Sequence, residues 1–415
     1  MKKTKLILTL LIMGLVSCSV PDDSSTPVDN NKTYSIKVWC PEAALSLTNK
    51  QLDDFKKENS SLKVNFNVQA VSEADAATNM VTDIEAGADI YGFMQDQLAR
   101  LVSAGALDPL KGNIEETIKK ENDENSIKVS SINNTLYAYP LTSDNGCFMY
   151  YDKRYVKESS IDSLESIIND LKESKKLFSY QLATDGAWYN AGFFFATGCY
   201  SNWTTNDKGL FTSYEDTYNS DNGVKALKGM SKLMNSGVWN NASSVGEFNS
   251  GSAVVVSGTW DYEAAKEILK DNLGVSDLPS FTVDNETFHI GSFFGNKLLG
   301  VKPQNDATKA AICQLVAKYL TSEAKQEERF DVLSWGPSNK KVQESEKVKA
   351  NPALVALKLQ EKYAKPQGQN PGDWWPLAAS IGSSVIEAGA NATDEKLKDI
   401  LTTYEAGLNS LINQK

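Results

Sequence analysis

Histidine is almost absent from the sequence, since His289 is the only one among 415 residues. Serine and cysteine hydrolases of the triad type need an imidazole base, and multi-histidine metal sites need several imidazoles. All of these chemistries would depend on one side chain. The sequence therefore predicts no catalytic residue, no metal site and no other cofactor.

Cysteine is scarce as well, with five residues in the chain. Beyond Cys18, the positions Cys40, Cys147, Cys199 and Cys313 are far apart, without CxxC spacing and without a neighbouring histidine. This pattern excludes a zinc site of the usual spacing. Two disulfides in any of three pairings, or four buried apolar side chains, both fit the sequence.

Basic residues are outnumbered, because 42 Lys and Arg stand against 53 Asp and Glu and give a net charge of -11. No basic stripe interleaved with aromatics is present, and an acidic surface repels phosphate backbones. Nucleic acid is therefore excluded as a partner. The acidity favours solubility, and we expect a monomer.

Long hydrophobic runs are also missing, apart from Leu6 to Val16, which is too short to span a bilayer. This run follows Lys2, Lys3 and Lys5, the order of charge and apolarity that export machinery reads. It ends in Leu15-Val16-Ser17-Cys18, which resembles a bacterial lipobox. We expect residues 1–17 to be a lipoprotein signal peptide, Cys18 to carry lipid, including palmitate, and Ser19 to Lys32 to be a flexible tether.

The periodicity after the tether alternates between strand and helix. Strands are predicted at 34–39, 64–68 and 90–94, with one helix over 43–59 and another that starts at Ser72 and ends near Gly87. Such alternation predicts an α/β fold with a mostly parallel sheet whose strand ends bind ligand. A second region of this kind follows Tyr139-Pro140, and the chain from Asp306 onward is mostly helical in pattern.

Several motifs, taken in order, carry a family resemblance. They are Ala88-Asp89-Ile90 with 101–110 (LVSAGALDPL), then 136–140 (LYAYP) with 150–153 (YYDK), and finally 248–253 (FNSGSA) leading to Gly258-Thr259-Trp260. Together they resemble the extracellular solute-binding proteins of bacterial carbohydrate ABC importers, of the maltose and maltodextrin-binding class. The resemblance extends over nearly all of the chain after the tether.

That resemblance implies two α/β lobes joined by three crossovers, with a helix-rich C-terminus. By analogy the first lobe is 33–140 plus 291–340, and the second is 141–290 plus 341–415. It also implies a lipoprotein outside the cytoplasmic membrane that closes around an oligosaccharide, such as a maltodextrin, and delivers it to membrane permease subunits.

A sugar offers apolar ring faces and a rim of hydroxyls, so its site needs flat aromatics together with carboxylates or amides. The family positions that match in this chain are Phe93, Asp96, Asp144, Asp185, Trp188, Tyr189, Trp260, Trp374 and Trp375. Trp374 and Trp375 would face opposite sides of an extended segment, so one could pack while the other meets ligand. The chain departs from the family in having Gln97 where a basic residue is common and Phe93 in place of tryptophan.

Structural roles compete with several of these assignments. Asp96 could cap a helix, Asp144 could form a turn with Asn145-Gly146, and Trp188 and Trp260 could be ordinary core residues. Three other functions stay open as well: a receptor for another solute such as a polyamine, a glycoside hydrolase that uses the aspartates as acid and nucleophile, and a surface adhesin.

Overall fold

A computed structural model describes residues 32–413, with side chains described to residue 411. The predicted signal peptide, Cys18 and nearly all of the predicted tether lie outside these residues. Within them, no helix is both long enough and apolar enough to cross a bilayer.

The strands fall into two five-stranded sheets and four short pairs. In chain order they are β1 Tyr34–Cys40, β2 Val64–Ala70, β3 Ile90–Met94, β4 Ser131–Ile132, β5 Thr135–Leu136, β6 Ala138–Thr142, β7 Phe148–Asp152, β8 Leu177–Ser179, β9 Ser201–Thr205, β10 Phe211–Asp216, β11 Trp239–Asn240, β12 Ser252–Ser257, β13 Leu273–Ser276, β14 Ser280–Val283, β15 Glu286–His289, β16 Ser292–Phe294, β17 Lys297–Val301 and β18 Ala364–Pro366.

Helices connect and cover these strands. They are α1 Leu45–Glu58, α2 Glu73–Thr82, α3 Leu98–Ser103, α4 Gly112–Glu121, α5 Glu124–Val129, α6 Leu164–Ser174, α7 Ala187–Ala196, α8 Asp221–Met234, α9 Tyr262–Leu269, α10 Ala307–Leu320, α11 Glu323–Leu333, α12 Lys340–Gln343, α13 Glu346–Lys349, α14 Pro352–Gln360, α15 Trp374–Ala388 and α16 Asp394–Asn413.

The first sheet has the order β2-β1-β3-β17-β6. Strands β1, β2 and β3 are parallel, whereas β17 is antiparallel to both of its neighbours, so β6 runs in the direction of β1. Alternate side chains enter the cores on the two faces: Val38 and Ile90 face one core, and Trp39 and Tyr91 face the other. The predicted α/β alternation, with a mostly parallel sheet covered on both faces, is confirmed.

The start of α2 follows the sequence pattern closely. Ser72 is the N-cap, and its hydroxyl accepts a hydrogen bond from the backbone N–H of Asp75. The helix ends at Thr82, however, and not near Gly87 as predicted. Asp83 accepts a hydrogen bond from the N–H of Ala86 and starts a turn, and Gly87 packs so closely that a Cβ there would lie 2.4 Å from Sδ of Met80.

The second sheet has the order β11-β8-β12-β7-β13 and also carries apolar clusters on both faces. The chain passes from the first sheet to the second between β6 and β7 and returns between β13 and β17. A third passage follows α11, which contacts α10 and α1 of the first lobe, and leads to α14, which packs on β13 and β7. Parallel pairing of β16 with β18 holds the second connection against the segment that follows α14.

The four cysteines in the described part of the chain are Cys40, Cys147, Cys199 and Cys313. All are buried and none is bonded to another. Of the two alternatives that the sequence left open, the structure has buried apolar thiols rather than disulfides. The stability of each lobe therefore comes from its packed core.

Candidate functional site

A cavity of about 580 Å³ lies where strand ends of both sheets meet the connecting segments. This volume is within the usual range for small-molecule sites. Its walls come from α2, the end of β3, the first connection, the start of α7, the turn after β12, and the segment that leads into α15. The lining residues are Ala74, Asp75, Thr78, Met94, Asp96, Gln97, Arg100, Asn145, Asp185, Ala187, Trp188, Tyr189, Trp260, Gln367, Gly372, Trp375 and Pro376.

Three half-buried indoles form an aromatic wall of this cavity, namely Trp188, Trp260 and Trp375. The ring centroids of Trp188 and Trp260 are 6.1 Å apart, and Trp188 meets Tyr189 edge to face at 4.9 Å. Phe293 lies between Trp188 and Trp375 and packs against both. Because such packing fixes the rings, they offer preformed flat surfaces for an apolar ligand face.

Trp260 is positioned by residues of both lobes. A Cβ on Gly258 would lie 2.1 Å from the indole, so only glycine at that position leaves room for the ring after β12. The ammonium of Lys297, at the start of β17 in the first sheet, lies 5.2 Å from the Trp260 ring centroid and 4.2 Å from that of Trp335. This cation–π contact connects the aromatic wall to the first lobe.

The polar wall opposite comes from the residues just after β3. Asp96 is 2% exposed, and burial raises the pKa of its carboxyl to about 7, although the Gln97 side-chain amide donates a hydrogen bond to Oδ2. Its Oδ1 has no hydrogen-bond partner within the described chain. A buried carboxylate oxygen without a donor is costly, so a donor brought within reach of it would be favourable.

Arg100 brings a cation to this wall at the start of α3. Its guanidinium donates to the hydroxyl of Thr78 at 3.1 Å and to the side-chain oxygen of Gln97 at 3.5 Å. The family resemblance predicts a basic residue directly after Asp96, where this chain has Gln97. Arg100 follows Gln97 by three positions, so the two side chains share one face of α3, a spacing that could have indicated it.

Asp185 contributes an exposed carboxylate at the cavity mouth. It and Thr184 have left-handed backbone conformations, with φ of 61° and 44°. Such conformations are uncommon for residues other than glycine, and aspartate is among those that tolerate them best. The tight turn brings Asp185 next to Trp188, at the beginning of α7.

Gln367 is a polar residue of the cavity that the sequence does not predict. Its side-chain oxygen accepts hydrogen bonds from Nδ2 of Asn145 and from Nε1 of Trp188, each at 3.1 Å. Its backbone carbonyl accepts from the side-chain amide of Gln95 at 2.6 Å. In the sequence, Lys365 to Pro371 only interrupts the helical pattern before the tryptophan pair, so no local pattern marks Gln367 as a ligand-site residue.

Three predicted site residues do not line the cavity. Phe93 is fully buried in the first-lobe core beside Tyr91, because the sheet's alternation turns it inward. Asp144 is fully buried and accepts hydrogen bonds from Thr259 and Gly336. Trp374 is 1% exposed and donates from Nε1 to the hydroxyl of Tyr404.

One tryptophan of the pair packs in the core and the other reaches the cavity, but the backbone that separates them is helical and not extended as predicted. Trp374 and Trp375 open helix α15 instead of an extended segment. Successive helical residues point about 100° apart. Trp374 therefore packs into the second-lobe core while Trp375 reaches the cavity.

His289 lies outside the cavity, where its ring stacks on Tyr363 at 3.5 Å and faces the Asp277 carboxylate. Within the described residues, no group of three His, Cys, Asp or Glu side chains is placed to hold a metal ion. What the cavity brings together is indoles, carboxylates, amides and one guanidinium. This set can stack on apolar ring faces and hydrogen-bond a rim of hydroxyls.

Comparisons with known proteins agree with this architecture. The family model for bacterial extracellular solute-binding proteins matches residues 50–356. A structure solved with acarbose is 25% identical, has a TM-score of 0.77, and aligns over 91% of this chain and 100% of its own.

Two further structures share the fold at lower identity. The maltodextrin-binding protein MalE1 from L. casei BL23 is 20% identical, with a TM-score of 0.73 and coverage of 90% of this chain and 99% of its own. The GacH receptor of Streptomyces glaucescens is 19% identical, with a TM-score of 0.75 and coverage of 92% and 99%. A comparison with curated protein sequences finds no match.

Proposed function

The chain belongs to the family of bacterial extracellular solute-binding proteins, and we propose that it captures an oligosaccharide, such as a maltodextrin, by closure of its two lobes. It then delivers the sugar to the permease subunits of an ABC importer. In this proposal the chain is a receptor and performs no chemistry on its ligand. Closure is driven by ligand contacts that exist only when both lobes engage the sugar.

The observation that carries this proposal is the convergence of Trp188, Trp260 and Trp375 on one cavity opposite Asp96 and Arg100. Indole faces match the CH faces of pyranose rings, and each stacked ring contributes on the order of 1 kcal/mol beyond area burial. Carboxylate and guanidinium groups form the stronger, charge-assisted hydrogen bonds to hydroxyls. The structure solved with acarbose is consistent with this ligand class.

The acidic residues of the cavity favour one competing ligand, a cationic polyamine. Asp75, Asp96 and Asp185 all line the cavity and would attract ammonium groups. Arg100 opposes this reading because its guanidinium, which contacts Thr78 and Gln97 and acts electrostatically on Asp96, offsets part of that negative charge. We therefore favour a neutral glycan.

Hydrolysis is a weaker alternative for the same cavity. A glycosidase needs two carboxyl groups on opposite sides of the scissile bond. Of the aspartates considered from the sequence, Asp144 lies outside the cavity lining, and its Oδ2 accepts hydrogen bonds from Thr259 and Gly336. The two remaining aspartates differ in environment, because Asp96 is deeply buried whereas Asp185 is exposed at the cavity mouth. The indole of Trp188 lies beside Asp185 and offers a stacking surface there.

Lipid attachment at Cys18 completes the proposal. A tether between the lipid and the lobes would hold the receptor near its importer at high effective concentration. Two or more acyl chains are needed for a stable anchor of this kind. We expect Cys18→Ser to abolish incorporation of labelled palmitate and to release the protein from the membrane fraction, whereas Cys40→Ser leaves both unchanged.

Calorimetry and thermal unfolding with a glycan panel test the ligand class. A bound glycan at about 100 times its Kd should stabilise the folded chain by about 2.7 kcal/mol. It should also change tryptophan fluorescence and be recovered intact. A shift with putrescine or spermidine and none with glycans would reject the sugar assignment, and release of new reducing ends would reject the receptor role.

A further inference from the structure

We infer that Ala99 is the docking point of an interlobe latch, in which Gln369 and Gly209 of the second lobe hold the first lobe through protein contacts alone. The inference deepens the proposed function, because it rests on closure-driven capture and names residues that set the balance between open and closed lobes. Neither Ala99, Gln369 nor Gly209 lines the ligand cavity.

Gln369 makes the first half of the latch. Its side-chain oxygen accepts a hydrogen bond from the backbone N–H of Ala99 at 2.8 Å, and its side-chain nitrogen donates to the carbonyl of Gln95 at 2.9 Å. Gln95 and Ala99 belong to the segment after β3 in the first lobe. Gln369 lies in the connection that enters α15, whose Trp374 is part of the second-lobe core. The side-chain amide of Gln369 therefore contacts the first lobe through both its oxygen and its nitrogen.

Gly209 makes the second half from a different part of the chain. It lies at the tip of the hairpin β9–β10, which packs on the second-lobe core through Trp203 and Tyr214. The hairpin is held there by a hydrogen bond from the Tyr214 hydroxyl to Asn409 in α16. A Cβ on Gly209 would lie 2.2 Å from the carbonyl oxygen of Ala99, so the two backbones touch across the lobes.

Two second-lobe elements distant in sequence thus converge on one first-lobe residue. Ala99 is fully buried although it lies in the first turn of the short helix α3, next to the cleft. Gly372 approaches the same helix, since a Cβ there would lie 3.3 Å from Nη1 of Arg100. In this structure Gln369 and Gly209 cover Ala99, and separation of the lobes would break both contacts, so they favour closure independently of any ligand.

The latch matters for affinity because the apparent Kd is the intrinsic Kd divided by the fraction of competent molecules. If loss of a latch contact lowers the closed fraction to a tenth, the apparent Kd rises about tenfold. No ligand contact needs to change. Latch residues would therefore tune affinity from outside the sugar-binding surface.

Small-angle scattering of the ligand-free protein tests the latch directly. Gly209→Ala should enlarge the radius of gyration, because the new methyl group clashes with the Ala99 carbonyl. Gly237→Ala is the matched control, because Gly237 has a φ of 82°, close to the 77° of Gly209, and open space around it. Both variants carry the same backbone strain, and only the first pushes on the other lobe.

Gln369→Ala provides an independent arm in case the hairpin variant folds poorly. Its control is Gln304→Ala, which removes an amide bonded to Asp89 and Lys302 within the first lobe. Both latch variants should also weaken glycan binding by about tenfold. If the latch variants scatter and bind like their controls, the latch is refuted. If the latch variants have a larger radius of gyration than their controls but the wild-type chain binds no glycan, the latch stands and the proposed ligand is rejected.

Discussion

Trp188 donates a hydrogen bond from its indole nitrogen to the side-chain oxygen of Gln367, with 3.1 Å between Nε1 and Oε1. The same oxygen accepts from Asn145 of the first connection. One buried amide thus fixes an aromatic wall residue of the second lobe and a connecting segment between the lobes. The orientation of the Trp188 ring, and with it the shape of the cavity, depends on that amide.

We predict that Gln367→Ala weakens glycan binding by about tenfold. The change leaves the buried amide of Asn145 and the half-buried indole N–H of Trp188 without their acceptor, and an unpaired donor costs about 1–3 kcal/mol where it stays dry. Isothermal titration calorimetry measures the affinity and thermal unfolding the stability.

The matched control for Gln367→Ala is Gln360→Ala. Gln360 is a fully buried glutamine that bonds Leu278 and Ile290 away from the cavity. It should lower the melting temperature and leave the affinity of folded protein unchanged. Equal affinities for the two variants would show that the Trp188 contact does not shape the site.

Trp260→Ala should weaken glycan binding at least tenfold while the fold persists. The change removes a stacking surface and its cation–π contact with Lys297, whereas Trp260→Phe keeps a ring and should restore part of the affinity. Trp239→Ala is the control, since Trp239 is half-buried in β11 and donates to the carbonyl of Tyr180 outside the cavity. An affinity unchanged by Trp260→Ala would remove this residue from the site.

Local patterns in the sequence were sufficient for the elements that form by short-range chemistry. The Ser72 cap, strand β3 and the ring position after Gly258 each follow from neighbours in the chain, and each is found as predicted. The aromatic wall could also be predicted from the sequence, because Trp188, Trp260 and Trp375 lie at the ends of helices or strands, where ligand sites form.

Contacts between residues that are far apart in the sequence could not be predicted from it. Gln367 reaches Asn145 across more than two hundred positions, and no local pattern marks such a partner. Phe93 and Asp144 match family motifs, yet sheet alternation buries the first and a connection between lobes uses the second. Family position predicts where a segment lies, whereas the packing of distant segments decides which side chains reach the cavity.

The buried carboxyl of Asp96 should make stability depend on pH. Its folded pKa is about 7, above the ordinary value for aspartate, because burial disfavours the charge. The folded state therefore binds more protons than the unfolded state between about pH 4 and 7, and stability falls as pH rises through that window. Asp96→Asn removes this titration.

Thermal unfolding at pH 5 and pH 8 measures the effect. The wild-type melting temperature should fall more between these two values than that of Asp96→Asn. Asp185→Asn is the control, because it removes an exposed carboxylate from the same cavity. Parallel pH profiles for wild type and Asp96→Asn would contradict a protonated Asp96.

Asp144 offers the sharpest separation between a structural and a ligand-binding role. Its Oδ2 accepts from the Thr259 hydroxyl at 2.5 Å and from the Gly336 N–H at 2.7 Å, so it joins the first connection to the second lobe and to the third connection. Asp144→Ala leaves both buried donors without a partner, at about 1–3 kcal/mol each. We therefore expect a clearly lower free energy of unfolding in urea.

Asp144→Asn keeps an acceptor oxygen of the same shape and should recover most of the stability lost in Asp144→Ala. Neither variant should change glycan affinity in the folded protein by more than a few fold, because Asp144 lies outside the cavity lining. The opposite pattern, with stability intact and binding lost in both variants, would show that Asp144 contacts the ligand as the family resemblance implies. In that case lobe movement would have to release Asp144 from Gly336 before the sugar is bound.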